Sequence, residues 1–339
     1  MVKRILFAVV VMGLLSAASA FAAVELKLAH SSPATTDDKL EYACQKFKAF
    51  VEEQSKGAIK VTTYPASQLG QEREALEGTQ MGTIELSALS TGPIPGQFAE
   101  IMLLDMPYLF PDRYAAYALL DGPFGDKLRE MMVNKTGVRI LGYGENGFRC
   151  FTGANKALQR PADFQGIKFR LMENPMHQTM VRSMGAIPAT IPFGELYTAL
   201  AQGVVDGQEN PLSLIHSMRF YEVQKHLTLD NHVFNPHILM MNNDTYMKLS
   251  AELRKVLDEG GKLFAHEERE FNQIQSEAAL KDMRKYGTIV YEPTAEDMKQ
   301  FREITMPATQ KLARDRFGDK LVDEYMAAVE KAIADTRKK

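Results

Sequence analysis

The sequence predicts an α/β protein of two lobes, in which each lobe is a mixed, mostly parallel sheet flanked by helices and a long helix bridges both. Strand-like segments alternate with amphipathic helical segments, which is typical of parallel sheets covered by helices. This alternation restarts after a glycine-bearing junction at Asn146 and Gly147. The length of 339 residues also suits two domains of roughly 100–200 residues each.

The composition is that of an ordinary globular protein. Hydrophobic residues make up 45% and charged residues 24% of the chain, as in typical soluble domains. The 40 basic and 43 acidic residues nearly balance, so the chain has no basic stripe of the kind that binds nucleic acid. Nucleic acid is therefore not expected as a partner.

The first 22 residues have the layout of a secretory signal peptide. Lys3 and Arg4 precede an apolar run over residues 5–15, and small residues that suit a cleavage site follow. The run is shorter than the roughly 18–20 apolar residues that a membrane-spanning helix needs. We therefore expect residues 1–22 to be removed by cleavage after Ala22, leaving an exported, soluble protein.

The first lobe is predicted from the segments that follow the signal peptide. The pattern predicts strands over residues 25–30, 59–64 and 85–89, and helices over residues 37–55 and 71–79. Apolar residues at helical spacing, including Cys44, mark the first of these helices. The Pro/Gly-rich stretch 91–96 is predicted to be a loop just past a strand, where open α/β sheets place their ligands.

The second lobe and the bridging helix are predicted from the rest of the chain. We expect strands over residues 139–144, 167–171, 189–191 and 204–206, and helices over residues 174–184 and 195–202. Gly203 follows the second of these helices, at a position where a residue in the left-handed backbone conformation commonly ends a helix. Residues 251–286 contain no proline and keep helical spacing. A helix of this length spans roughly 45 Å or more, which is enough to bridge both lobes.

The chain carries no motif of enzyme catalysis or cofactor binding that we recognise. It has no nucleophile elbow, no Walker loop and no dinucleotide fingerprint. Its two cysteines, Cys44 and Cys150, do not form a disulfide framework, although a single bond between them stays open. The histidines lack the spacing of a metal site. We therefore expect no enzyme activity, no cofactor and no metal.

The sequence evidence for a binding site is a pair of arginines that lie in otherwise apolar predicted strands. Arg170 alternates with Ile167, Phe169 and Leu171, and Arg149 follows a predicted turn. Each is either an ordinary surface cation or part of a cleft that holds a carboxylate. The planar guanidinium donors of arginine match both oxygens of a carboxylate at once.

Asn210 is a further candidate because of the residue that follows it. Pro211 disfavours the helical backbone conformation at Asn210. The amide is then held on an extended backbone with its donor and acceptor free. Asn210 is therefore either a ligand-binding residue or a cap of the next helix.

Five segments resemble the solute-binding proteins of tripartite ATP-independent periplasmic (TRAP) transporters, of the dicarboxylate- and sugar-acid-binding, DctP-like type. The longest match runs from Pro192 to Pro211. The others are residues 64–70, 146–149, 166–170 and 220–225. They occur in the order and spacing of that family across nearly the whole mature chain.

The resemblance implies a two-lobed periplasmic-binding-protein fold that closes around an organic acid, in a receptor located in the periplasm. It implies that Arg170 clamps the ligand carboxylate, with Arg149 as a second arginine of the cleft. Asn210 would hold the same carboxylate, and Phe193 would pack on the ligand. Contacts that vary with the substrate would come from Glu72 and Ser90, and His237 is a weaker candidate. These seven residues are the predicted site.

The resemblance also implies lobes that are discontinuous in sequence, with crossovers near Asn146 and near residues 234–235. Lobe I would comprise residues 23–146 plus about 235–278, and lobe II residues 147–234 plus about 279–339. The expected partners are a small-molecule carboxylate and the small and large membrane subunits of a TRAP permease. We expect a monomer.

Two other functions and several substrates stay open at this point. The chain could report its ligand to a sensor kinase, or act as a periplasmic enzyme on a carboxylate. Glu72 could accept hydrogen bonds from hydroxyl groups, which favours a sugar acid such as a uronate over a C4-dicarboxylate. Arg149 or Arg73 could nevertheless supply the second cation that a dicarboxylate needs.

Overall fold

The computed structural model describes residues 23–337. The predicted signal peptide, residues 1–22, lies outside the described residues. Within residues 23–337 no helix is both long and apolar enough to cross a membrane. The described chain forms two sheets with helices packed against them, as the sequence predicts.

Eleven strands and ten α-helices make up the described fold. The strands are β1 Val24–Ala29, β2 Ile59–Tyr64, β3 Leu86–Ser90, β4 Val138–Tyr143, β5 Gly147–Gly153, β6 Lys168–Leu171, β7 Ile187–Thr190, β8 Gly207–Pro211, β9 His226–Asn235, β10 His237–Asn242 and β11 Ile289–Tyr291. The helices are α1 Lys39–Gln54, α2 Glu72–Met81, α3 Arg113–Leu120, α4 Pro123–Thr136, α5 Pro175–Ser183, α6 Leu196–Ala201, α7 Leu212–Ser217, α8 Asn243–Met247, α9 Ala251–Tyr286 and α10 Ala295–Thr336.

The two sheets define the two lobes. The sheet of lobe I has the order β2-β1-β3-β10-β4, with β1, β2 and β3 parallel and β10 antiparallel to its neighbours. The sheet of lobe II has the order β11-β9-β5-β8-β6-β7, with β5 antiparallel to β8 and β9. The chain passes between the sheets from β4 to β5 and again at Pro236, from β9 to β10.

Helix α9 spans Ala251–Tyr286, which confirms the predicted long helix. Ser250 caps its first turn, and Gly287, at a φ of 109°, ends it. The helix contacts α1 and β4 in lobe I and α7 in lobe II. A Cβ atom at Gly261 would lie 2.4 Å from the carbonyl oxygen of Leu141, so the glycine allows α9 to pack closely on β4.

Helix α10 contacts both lobes. It consists of two helical segments that meet at Gly318, whose φ of 77° and ψ of 159° are not helical. Before this point Phe301 packs with Phe151 and Phe164 of lobe II. Beyond it, the Tyr325 ring lies 5.1 Å from that of Phe124 in lobe I. The described segment after Gly318, which is predicted from the sequence to belong to lobe II, therefore packs on lobe I, and the lobe boundaries stay predictions.

The predicted strand over residues 204–206 is wrong. These residues form a bend, and the strand β8 begins only at Gly207. The side chain of Val204 is 43% exposed, and Asp206 accepts a hydrogen bond from the backbone of Lys168. Val204 and Val205 favour a strand locally, but they belong to the turn that follows α6, so the chain joins the sheet only at Gly207.

The two cysteines are free thiols within lobe cores. Cys44 is buried with Leu40, Phe47 and Val51 on one face of α1, as its helical spacing predicts. Cys150 is buried on β5 in lobe II. The disulfide that the sequence left open is not formed in this structure.

Candidate ligand-binding site

All seven residues of the predicted site line two adjoining cavities between the lobes. The outer cavity has a volume of about 260 Å³ and is lined by Glu72, Arg170 and Phe193 among others. The inner cavity, of about 20 Å³, is lined by side chains from both lobes, most of them buried. Its lining includes Glu72, Ser90, Arg149, Phe193, Asn210 and His237. A larger groove, of about 760 Å³ between β4 and α9, contains none of the seven.

Arg170 is a buried cation without a carboxylate partner among residues 23–337. The side chain is 1% exposed, whereas that of Lys168, on the same face of β6, is exposed. Its Nε and Nη2 donate to the carbonyl oxygen of Ile191 at 2.9 and 2.7 Å, and Nη1 is buried without a hydrogen-bond partner. Burial lowers the pKa of Arg170 to about 10, so the guanidinium stays protonated at neutral pH. The surface alternative is therefore wrong for Arg170.

Arg149 is also fully buried, but Glu209 compensates its charge. Arg149 Nε donates to Oε2 of Glu209, and Nη2 lies 2.9 Å from Oε1. Nη2 also donates to the Glu209 carbonyl oxygen at 2.7 Å and to Asn210 Oδ1 at 3.0 Å. The surface alternative is wrong here too, and the two arginines of the site have different electrostatic surroundings.

Glu209, the buried partner of Arg149, was not singled out from the sequence. Burial by itself would raise the pKa of Glu209, but Arg149 and His232 hold it well below its usual range. His232 Nε2 lies 3.2 Å from Glu209 Oε2, and its Nδ1 lies 2.9 Å from Asp230 Oδ2. Glu209 is one residue from Asn210 in the matching segment, and this adjacency was the only signal available in the sequence.

Asn210 faces the inner cavity and does not cap the following helix. Its Oδ1 accepts from Arg149, and its Nδ2 donates to Gln208 Oε1 at 2.6 Å. The N-cap of α7 is Pro211, and no side chain caps that helix. The capping alternative for Asn210 is therefore wrong.

Glu72 and Ser90 form one hydrogen-bonded unit on the lobe I side. Glu72 is the first residue of α2, and Ser90 is the last residue of β3. Glu72 Oε1 accepts from both the backbone nitrogen and the Oγ of Ser90, each at 2.9 Å. The Ser90 backbone and hydroxyl thus hold the Glu72 carboxylate at the cavity.

His237 reaches the inner cavity from the first position of β10 and is paired with Glu268 of α9. Its Nδ1 lies 2.6 Å from Glu268 Oε1. Burial, assisted by Lys39, lowers the pKa of His237 to about 3, and burial raises the pKa of Glu268 to about 8. At neutral pH the carboxyl group therefore donates to Nδ1 of a neutral ring, and Nε2 carries the ring proton.

The lobes contact each other around the cavities. A Cβ atom at Gly92 of lobe I would lie 2.6 Å from Met172 Sδ of lobe II. Lys39 Nζ on α1 donates to Ser213 Oγ on α7 at 2.6 Å, in a buried contact. Phe193, in the turn Phe193–Glu195, forms part of the wall of both cavities. These contacts bring the two lobes together beside the site.

Residues 28–315 match the family described as DctP, bacterial extracellular solute-binding protein family 7. The chain belongs to this family. A curated relative, named as a solute-binding protein of Verminephrobacter eiseniae, is 37% identical over 286 residues, which is 84% of each chain.

Solved structures of DctP-family proteins share the whole fold. The sugar-acid-binding protein of Advenella mimigardefordensis, in complex with galactonate, is 31% identical with a TM-score of 0.87, covering 91% of this chain and 99% of its own. A TRAP periplasmic solute-binding protein of Polaromonas, bound to D-erythronate, is 34% identical with a TM-score of 0.85, covering 90% and 98%. The two-lobed fold predicted from the sequence is therefore confirmed.

Proteins of the DctP family are periplasmic receptors that bind small organic acids and work with TRAP permeases. They are binding proteins rather than enzymes, so the enzyme alternative is not carried further. Within the part of the chain that the structure describes, no group of His, Cys, Asp or Glu side chains is arranged to hold a metal ion.

Proposed function

We propose that this chain is a periplasmic receptor that captures a small organic acid by an arginine–carboxylate clamp at Arg170 and delivers it to a TRAP permease. The observation that carries this proposal is the buried guanidinium of Arg170, which lines the outer cavity and whose Nη1 has no hydrogen-bond partner among residues 23–337. A hydrogen bond to a charged group contributes about 1.5–3 kcal/mol. Such a clamp would supply a large share of a micromolar affinity, which corresponds to roughly −8 kcal/mol.

The remaining site residues have separate roles in this proposal. Asn210 and Arg149 form the wall beside the bound carboxylate, and Phe193 packs on the ligand. Glu72, Ser90 and His237 contact the end of the ligand that differs between substrates. A sugar acid such as a uronate, or a C4-dicarboxylate, is the proposed ligand. The galactonate and D-erythronate held by the two solved relatives support an acid of this size.

The proposal extends to where the receptor works and with what. Residues 1–22 act as a cleaved signal peptide, and the mature protein is a monomer in the periplasm. The loaded, closed receptor docks on the small and large membrane subunits of the permease. Closure brings residues of both lobes into one surface, which an open receptor would not present.

The test begins with the small molecule that the protein carries. Protein purified from its native periplasm is denatured, and the released compounds are identified by mass spectrometry. We expect a carboxylic acid that binds the refolded protein in calorimetry. Uptake of that acid into vesicles containing both permease subunits should then require the receptor. A neutral or cationic ligand, or uptake that is independent of the receptor, would overturn the proposal.

A further inference from the structure

We infer that the ligand carries a single carboxylate, held at Arg170, and presents hydroxyl groups to Glu72 and Asn146, so that hydroxylated monocarboxylates are bound in preference to dicarboxylates. This inference rests on the proposed function and decides between the two ligand classes that it leaves open. Two independent observations carry it. One is the balance of charge around the cavities, and the other is the kind of polar atom left without a partner.

The charged side chains that line the two cavities offer one free cation within the described chain. These side chains are Glu72, Arg73, Glu74, Arg149, Arg170 and Glu173. Arg149 is neutralised by Glu209 in a buried ion pair. Arg73 is exposed and pairs with Glu77 and Glu173. Neither can serve as the second cation for a dicarboxylate without losing an existing carboxylate partner.

A second ligand carboxylate would instead meet negative charge. Glu72 lines both cavities, and within residues 23–337 it has no basic partner at ion-pair distance. Its carboxylate is held in place by two hydrogen bonds from Ser90 and cannot easily swing away. His237 is neutral at physiological pH because burial lowers its pKa to about 3. Like charges in a site of reduced water content repel more strongly than in bulk solvent.

Asn146 places an unpartnered acceptor at the inner end, and this acceptor requires a donor from the ligand. Asn146 lines the inner cavity, and its Oδ1 is buried without a hydrogen-bond partner in the described part of the chain. Its orientation is fixed because Asn146 Nδ2 donates to Asn235 Oδ1 at 3.0 Å, while Asn235 Nδ2 donates to Asp105 Oδ1 at 3.1 Å. Glu72 is half-buried, and its Oε2 accepts no hydrogen bond from the residues described. Two hydroxyl groups of a ligand can each donate to one of these atoms, whereas an ionised carboxylate can donate to neither.

The size of the two cavities favours a small ligand. The outer cavity of about 260 Å³ and the inner one of about 20 Å³ together lie at the lower limit for pockets that hold drug-sized ligands. A short, unbranched acid of about four to six carbons suits such a space. A site with buried acceptors also rejects analogues that lack the matching hydroxyl groups, because its own polar atoms are then left unpaired.

The test is a calorimetric panel on the full mature protein freed of ligand. The panel contains D-erythronate and D-galactonate as hydroxylated monocarboxylates, succinate as a dicarboxylate, and butyrate as a monocarboxylate without hydroxyl groups. We expect at least one hydroxylated acid to bind tenfold or more tightly than succinate and butyrate. Glu72→Gln keeps the shape of the side chain but removes its negative charge. The ratio of the affinity for the hydroxylated acid to the affinity for succinate should therefore fall about tenfold.

Two further variants keep the result interpretable. Glu53→Gln, at an exposed position of α1, makes the same change in net charge and should leave the order of the panel unaltered. Asn146→Ala removes the unpartnered acceptor and should weaken the hydroxylated acids more than butyrate. Succinate binding that equals or exceeds that of the hydroxylated acids, and that requires Arg170, would overturn this inference and leave the proposed function standing. Failure of every acid to bind, or binding that does not require Arg170, would overturn both.

Discussion

Glu209 Oε1 lies 2.9 Å from Nη2 of Arg149, and both side chains are completely buried. The two residues belong to the neighbouring antiparallel strands β5 and β8, where Glu209 stands opposite Phe151, two residues from Arg149. Residues in this diagonal relationship lie on the same face of a sheet and can reach each other. The pair makes Arg149 a fixed, neutralised part of the site and leaves Arg170 as its free cation.

Glu209→Gln should destabilise the protein strongly. The change keeps the shape of the side chain but leaves the Arg149 guanidinium buried without a counter-ion, which typically costs about 3–5 kcal/mol. The free energy of unfolding can be measured by urea denaturation followed by far-UV circular dichroism, since the chain has no tryptophan. Asp315→Asn, which breaks an exposed ion pair with Lys311, should have a much smaller effect. Equal effects of the two variants would contradict the structural role of the Arg149–Glu209 pair.

Arg170→Lys should weaken ligand binding by about ten- to a hundredfold while leaving the fold intact. Lysine keeps the charge but cannot contact Ile191 and both oxygens of a carboxylate at once. Calorimetry with the acid recovered from the protein gives the affinity. Lys168→Gln, two residues away on the same strand, provides the control because Lys168 is exposed. An affinity for Arg170→Lys that matches the Lys168→Gln control would remove Arg170 from the binding site.

Gly92→Ala should hinder closure of the lobes. The new Cβ atom would lie 2.6 Å from Sδ and 2.8 Å from Cβ of Met172, on the other side of the cleft. Opening of the lobes relieves this contact, so affinity should fall several-fold, and small-angle scattering should show a larger radius of gyration with ligand. Gly96→Ala, in the same loop, meets nothing within 4 Å and should behave as the wild type. Identical scattering of the two variants at saturation would show that the Gly92–Met172 contact does not limit closure.

Secondary structure that depends on neighbouring residues can be predicted from the sequence. Contacts between residues that are distant in the sequence cannot. The bounds of α9 and β2 follow from local spacing, and both are confirmed by the structure. The Arg149–Glu209 pair depends on the register of two strands whose residues are 60 positions apart. The buried contact between Lys39 and Ser213 spans 174 positions and exists only because α1 and α7 meet across the lobes. No pattern in a single sequence determines such pairs.

The same limit applies to the residues of the candidate site. Arg170 could be singled out as a candidate because a cation alternates with apolar residues along β6. That Arg170 has no counter-ion within residues 23–337 could not be predicted, because it depends on every carboxylate that folds near Arg170. The pairing of Glu72 with Ser90 likewise requires the end of β3 to meet the start of α2, as the structure shows.

The Glu268–His237 pair predicts a specific dependence of stability on pH. Burial is the main reason that the pKa of Glu268 is raised from 4.5 to about 8. The folded protein then holds a proton that the unfolded chain releases above its own pKa. The contribution of Glu268 to the free energy of unfolding is therefore fully present below about pH 4.5 and is lost as the pH rises towards about 8. Glutamine resembles the protonated acid, so Glu268→Gln should remove this loss.

Comparing the two proteins isolates Glu268 from its titrating neighbours. His232 and His237 add a pH dependence of their own because both titrate near pH 6.5 in the unfolded chain, and Lys39, whose pKa burial lowers to about 8, adds another above that pH. To first order these groups contribute alike to both proteins, so they largely cancel in the difference between the two unfolding free energies. Urea denaturation at pH 5, 6.5 and 8 should show the wild type losing stability relative to Glu268→Gln at each step. A difference that stays constant from pH 5 to 8 would mean that Glu268 is already ionised in the folded protein. His237 would then keep its proton on Nδ1 and present Nε2 to the inner cavity as an acceptor.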